Sequence, residues 1–148
     1  MRTFEQISNA IPAAVRFATK GTLNNLEGNI EARVFESGKQ GIDANGVIIK
    51  QGRKYSSGYA AFRKEAGLQT NYIDLQFTGD MFRSIKTIED QEGGKVIFST
   101  QDGANKAADI ERKFSQVIFA ASQDEVEFAY RDFERLFFIA LNEELATL

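Results

Sequence analysis

Three residue types that carry much of enzyme chemistry are missing, because the chain of 148 residues contains no Cys, no His and no Trp. Without thiolate or imidazole it has no Cys nucleophile, no Ser-His-Asp arrangement and no zinc site of the usual Cys and His kind. The lack of thiols also removes the usual clue to redox compartment. No stretch approaches the ~20 apolar residues that span a bilayer, so no membrane partner is expected. Met1 to Thr19 includes Glu5 and has no continuous apolar core, so it does not read as a secretory signal, and the expectation is a protein made in the cytoplasm and kept soluble.

What is present is ordinary for a folded chain: 43% hydrophobic and 26% charged residues. A single domain over residues 1–148 is expected, large enough to bury roughly 68–70% of the surface its unfolded form exposes. No internal repeat, low-complexity tract or second-domain linker interrupts it.

Phe4, Ile7 and Ile11 share a helical face, and Pro12 can open a following helix, where its missing N–H is harmless. The spacing therefore predicts a short helix and then a longer one carrying Leu23, Leu26, Ile30 and Val34, with Gly21 and Gly28 each costing about 1 kcal/mol relative to Ala. Ser37 to Gly58 is rich in Gly and Ser and offers only Val47 to Ile49 as a short strand, so it reads as a long mobile loop. A helix over Tyr59 to Ala66 stopped by Gly67, a strand over Tyr72 to Phe77 and a short helix capped by Thr78 follow. Ser84 to Glu89 and Lys95 to Thr100 suit a hairpin around Gly93-Gly94. A helix over Lys106 to Lys113, a strand-like Val117 to Ala120 and a final helix opened by the capping box Ser122-Gln-Asp-Glu125 complete the chain. Together these give an α+β fold, a small antiparallel sheet packed by a long N-terminal helix and a C-terminal helix. Phe133, Phe137, Phe138 and Leu141 cannot all face so small a sheet. Either the N-terminal helix covers them or they anchor a neighbouring subunit.

Candidate chemistry is sparse. Asp74 and Asp80 bracket a strand end and are the residues a metal-dependent hydrolase would need, but the signal is weak, and an exposed strand residue and a first-turn helix carboxylate are the reading the sequence favours. Asp102, beside Gly103, reads as a turn residue. The glycines of the loop match neither a P-loop nor a dinucleotide fingerprint. Charge is more informative. Residues 37–66 carry a net +4, with Lys50, Arg53 and Lys54 at the centre, and residues 122–148 carry a net −5. A solvated face, a nucleic-acid patch and attraction between neighbouring subunits all fit that asymmetry.

The runs Tyr59-Ala-Ala-Phe-Arg-Lys-Glu-Ala-Gly67 and Asp74-Leu-Gln-Phe-Thr-Gly-Asp-Met-Phe-Arg-Ser-Ile85 resemble the virion morphogenesis or tail-completion proteins of tailed phages. The shared positions are Leu75, Thr78, Gly79, Met81, Ser84 and Ile85, which on that resemblance determine the fold and carry no catalysis. Many relatives have an Arg-Pro-Phe-Leu-like segment where this chain has Arg112-Lys-Phe-Ser115. The resemblance implies a non-enzymatic virion component of the neck or tail end, without cofactor or metal. Its expected partners are copies of itself, in a ring, and other neck or tail proteins, with packaged DNA as a further contact. Lys50, Arg53, Lys54, Phe133, Phe137, Phe138 and Leu141 are the candidate assembly residues. A nucleic-acid-binding accessory protein using the basic loop, with Tyr55 and Tyr59 as stacking rings, is the alternative.

Overall fold

The computed structural model describes residues 3–35, 40–50, 53–75, 79–91 and 93–147. Helix α1 spans Phe4–Phe35, α2 Ser57–Glu65, α3 Asp80–Ser84, α4 Gln101–Phe114 and α5 Gln123–Ala146, while β1 (Ile85–Asp90) pairs antiparallel with β2 (Gly93–Phe98). The fold is α+β, with β1 packed on α1 and α5 running along α1. No helix among the described residues is long and apolar enough to cross a membrane.

The two expected N-terminal helices are one. Pro12 lies inside α1, where it leaves the Ser8 carbonyl without its helical donor; both residues are exposed, so water can take that place. The contacts Gly21–Leu136, Asn25–Asp132 and Arg33–Glu125 set α1 and α5 antiparallel, numbers rising on one as they fall on the other. Burial pushes Asp132 toward the neutral form, but hydrogen bonds from Asn25 and Arg135 outweigh it and hold the carboxyl below its ordinary value.

From α1 the main core takes Leu26, Ile30, Val34 and Phe35, which meet Ile49, Met81, Ile85, Ala107, Ile118 and Phe119. Ala10, Ala14, Ala18, Ala140 and Leu145 are also buried but lie outside that cluster. The α1–α5 register puts Ala18 beside Ala140 and the Ala10 to Ala14 turn near Leu145. The helix pair thus continues past the core as a stalk, with the Phe4 to Ala18 stretch about 21 Å long at ~1.5 Å per residue.

Three expected strands do not form. Leu75 takes a left-handed φ of 57°, which no strand accommodates, so Tyr72 to Leu75 is irregular; Gln76 and Phe77 lie outside the described residues. Val47 to Ile49 contributes only the isolated bridge between Ile42 and Ile48. At Val117 to Ala120 the N–H groups of Ile118 and Phe119 donate to Glu111 Oε1 at 2.7 and 3.0 Å, so these two donors are not available to a strand ladder. Helix α4 starts five residues earlier than expected, because Thr100 accepts the Gly103 N–H at 3.1 Å and caps it. Asp102 is therefore a first-turn residue, paired with Lys106 at 2.6 Å, and not a turn. At α5 the capping box of Ser122 and Glu125 is present in both directions.

Nor do residues 40–50 project as an arm. Ile49 is in the core, Ala44 N–H donates to Val117 O, and Gln116 ties both Asp43 and Lys50. Residues 36–39, 51 and 52 lie outside the described residues. Arg33 closes this region: Nε donates to Glu125 Oε1 at 2.8 Å, Nη1 to the carbonyls of Ile42 and Ile118 at 2.9 and 3.0 Å, and Nη2 to that of Ala120 at 2.7 Å.

Arg33→Ala is expected to lower the unfolding free energy by about 3 kcal/mol, because Glu125 and three carbonyls lose their donor together; denaturant titration followed by circular dichroism measures it. The two helical glycines should separate in the same assay. A Cβ at Gly28 meets nothing within 4 Å, so Gly28→Ala should gain about 1 kcal/mol, while one at Gly21 meets Leu136 Cδ1 at 2.7 Å, so Gly21→Ala should gain less.

Candidate assembly interface

Helix α2 is amphipathic in an unusual way: its one buried residue is Arg63. The Arg63 side chain is 1% exposed and donates from Nη2 to both oxygens of Asp74, at 3.0 and 2.9 Å, and from Nε to the Gln69 carbonyl at 3.0 Å. Asp74 also accepts from the Tyr55 hydroxyl at 2.8 Å and from Gln69 Nε2 at 2.6 Å. The guanidinium lies 4.5 Å over the Tyr55 ring. Asp74 is thus committed to holding α2 in place, and the exposed Asp80 pairs with Arg83. The hydrolase roles considered for these carboxylates have no support in this geometry.

Because α2 is held through Arg63 and not by packing against another helix, a groove remains between it and α4. A cleft of ≈ 590 Å³ is lined by Lys50, Arg53, Lys54 and Lys113, with Ile73, Leu75, Ile110 and Phe114 supplying apolar surface. It shares Tyr59, Leu75, Ile110 and Lys113 with a second cleft of ≈ 540 Å³ that runs on toward Phe62 and Phe82. The Lys50 ammonium sits 4.9 Å over the Phe114 ring. The three basic residues singled out in the sequence are therefore brought together, and Lys113, which was not, joins them from α4.

Of the stacking rings considered for nucleic acid, Tyr55 has one face under Arg63 and its edge against Tyr59 at 5.2 Å, whereas Tyr59 is 40% exposed. Of the residues that carry the resemblance noted in the sequence, Leu75 lines both clefts, Gly79 precedes α3 with φ 77°, and Met81 and Ile85 enter the core. Ser84 donates to the Met81 carbonyl at 2.7 Å and packs so closely under Gly103 that a Cβ there would strike it. These residues seat α3 on α4. Thr78, expected to cap α3, lies outside the described residues; the N-cap position is Gly79, which offers no side chain.

The four apolar candidates on α5 divide. Phe133 and Phe137 stack at 6.2 Å and are half-buried, as is Leu141. They follow Asp132, Leu136 and Ala140, which face α1, and so lie on the flank of that seam. Phe138, 53% exposed, is the one left as an anchor. The face that the sequence spacing gives to Phe4, Ile7 and Ile11 is the outer one: with Val15 they form an exposed stripe, Phe4 being 86% exposed. The signal that could have found this is the run Ala10, Ala14, Ala18, Thr22, whose four-residue spacing marks the buried side.

The Tyr55 hydroxyl is pushed up to about 12, by burial above all and also by the Asp74 carboxylate it faces. A raised acid in the fold stabilises it below the ordinary tyrosine range and loses that contribution as pH climbs through the raised value. Stability should therefore fall between pH 10 and about 12, and Tyr55→Phe should flatten that part of the curve in denaturant titrations at stepped alkaline pH. In comparisons with protein-family models, curated proteins and solved structures, none matches the chain.

Proposed function

We propose that the chain is a non-enzymatic structural protein of a tailed-phage virion, a neck or tail-completion component that works by assembling with copies of itself and with other virion proteins. The observation that carries this reading is the exposed stripe Phe4, Ile7, Ile11 and Val15 on the stalk. A chain acting alone has little reason to hold a contiguous apolar ridge in water, and such ridges mark surfaces that another protein covers. The likeness of residues 59–85 to the virion morphogenesis proteins supports the same reading, as does the engagement of Asp74 by the buried Arg63 within the fold.

Cryo-EM of intact particles carrying the chain tests it. The expected result is a ring of density at the portal-to-tail junction or the tail end into which the chain fits. Mature particles that lack the chain would overturn the proposal.

A further inference from the structure

Two of the surfaces that the described residues leave exposed are complementary in chemistry. The α2/α4 groove has an apolar floor and four cations, Lys50, Arg53, Lys54 and Lys113, none with an ion-pair partner among the described residues. The acids nearest its far end, Asp80 and Asp109, are already paired with Arg83 and Arg112. The stalk end has the reverse character. Phe4, Ile7 and Ile11 stand at i, i+3 and i+7 and are exposed, and the charged residues over 3–15 and 136–147 are Glu5, Glu143 and Glu144, all exposed and all acidic, with the exposed Arg16 the one cation of the Phe4 to Ala18 stretch.

Resting on the self-assembly reading above, we propose that the stalk end of one copy docks helix-in-groove between α2 and α4 of a second copy. Apolar anchors at i, i+3 and i+7 are the pattern by which an amphipathic helix fills such a groove. Glu5 lies beside the anchors on the same helix, and the α1–α5 register brings Glu143 and Glu144 to the same end of the stalk, so acids flank the ridge where the groove presents its lysines and arginine. Charge of this kind fixes register and speeds encounter. The stalk cannot reach its own groove, because α1 is one continuous helix clamped along α5 and cannot fold back on the domain that carries it. A single-stranded nucleic acid is the competing occupant. It would satisfy the cations but would leave Leu75 and Ile110 without apolar cover, and Tyr55 is already engaged by Arg63. Since knob and socket are different surfaces, the contact is heterologous, and repeated contacts close into a ring when the rotation between copies allows it.

Two variants of the full chain test the contact by sedimentation velocity at low salt. Ile7→Glu/Ile11→Glu spoils the stalk at exposed positions, and Arg53→Glu/Lys54→Glu spoils the groove at exposed positions. Wild type should associate in a concentration- and salt-dependent way, and each variant alone should associate at least about tenfold more weakly. An equimolar mixture of the two should form a dimer and stop there, using the intact groove of one and the intact stalk of the other. Circular dichroism of each variant confirms that the fold survives. A groove variant that self-associates like wild type would mean stalk-to-stalk packing and overturn the proposal. So would a mixture that fails to dimerise, or a wild type still monomeric at about 1 mM, where a contact with a millimolar dissociation constant is already well populated. Binding of a short oligonucleotide that the groove variant loses and the stalk variant keeps, without any protein dimer, would assign the groove to nucleic acid instead. A particle reconstruction in which the chain forms a ring without stalk meeting groove would reject this contact and leave the virion reading standing.

Discussion

One guanidinium gathers the parts of this molecule that sequence keeps far apart. Arg33 sits in the last turn of α1 and reaches the loop at Ile42, the segment at Ile118 and Ala120, and Glu125 in the first turn of α5, the last a separation of 92 residues. Its planar fork lets four hydrogen bonds diverge from one half-buried side chain, which a lysine could not do. Glu125 is constrained in turn, since its other oxygen accepts the Ser122 N–H and completes the α5 cap. The angle at which α5 leaves the core, and so the line of the stalk, follows from this cluster.

A second arginine does similar work for α2, and the two together explain how the charges divide. Arg33, Glu125, Arg63, Asp74 and Asp132 are spent inside the fold, where each has a partner at hydrogen-bond distance. Lys50, Arg53, Lys54 and Lys113 gather at the α2/α4 groove, and Asp124, Glu127, Glu134, Glu143 and Glu144 stand exposed along α5, while Arg16, Lys20, Lys95 and Arg131 lie elsewhere on the surface.

Helices and hairpin were legible in the sequence where local rules govern. The Ser122 to Glu125 box, the stop at Gly67 and the pairing of Ile85–Asp90 with Gly93–Phe98 depend on residues close in the chain. The misplaced strands depend on distant partners: Glu111 takes the N–H groups of Ile118 and Phe119, and Arg63 draws Asp74 out of any extended run. Periodicity could say that Phe4, Ile7 and Ile11 share a face, but not that the alanine face opposite would be the one buried. Of the site, the basic residues before α2 were visible; the groove was not, because it exists only as the space that a helix anchored by an arginine leaves beside α4.

The stalk seam is made largely of methyl groups. Alanines let two helices approach closely, but each buries little area, so Ala10, Ala14, Ala18 and Ala140 contribute far less than the Leu, Ile and Phe side chains of the main cluster. Apolar burial is thus thinner at the stalk end than in the core, and in folded proteins such thinly buried ends are where local opening begins. Any protein that covers the outer ridge supplies the apolar burial the seam lacks, and ordering of the last turns of helix becomes thermodynamically linked to that encounter.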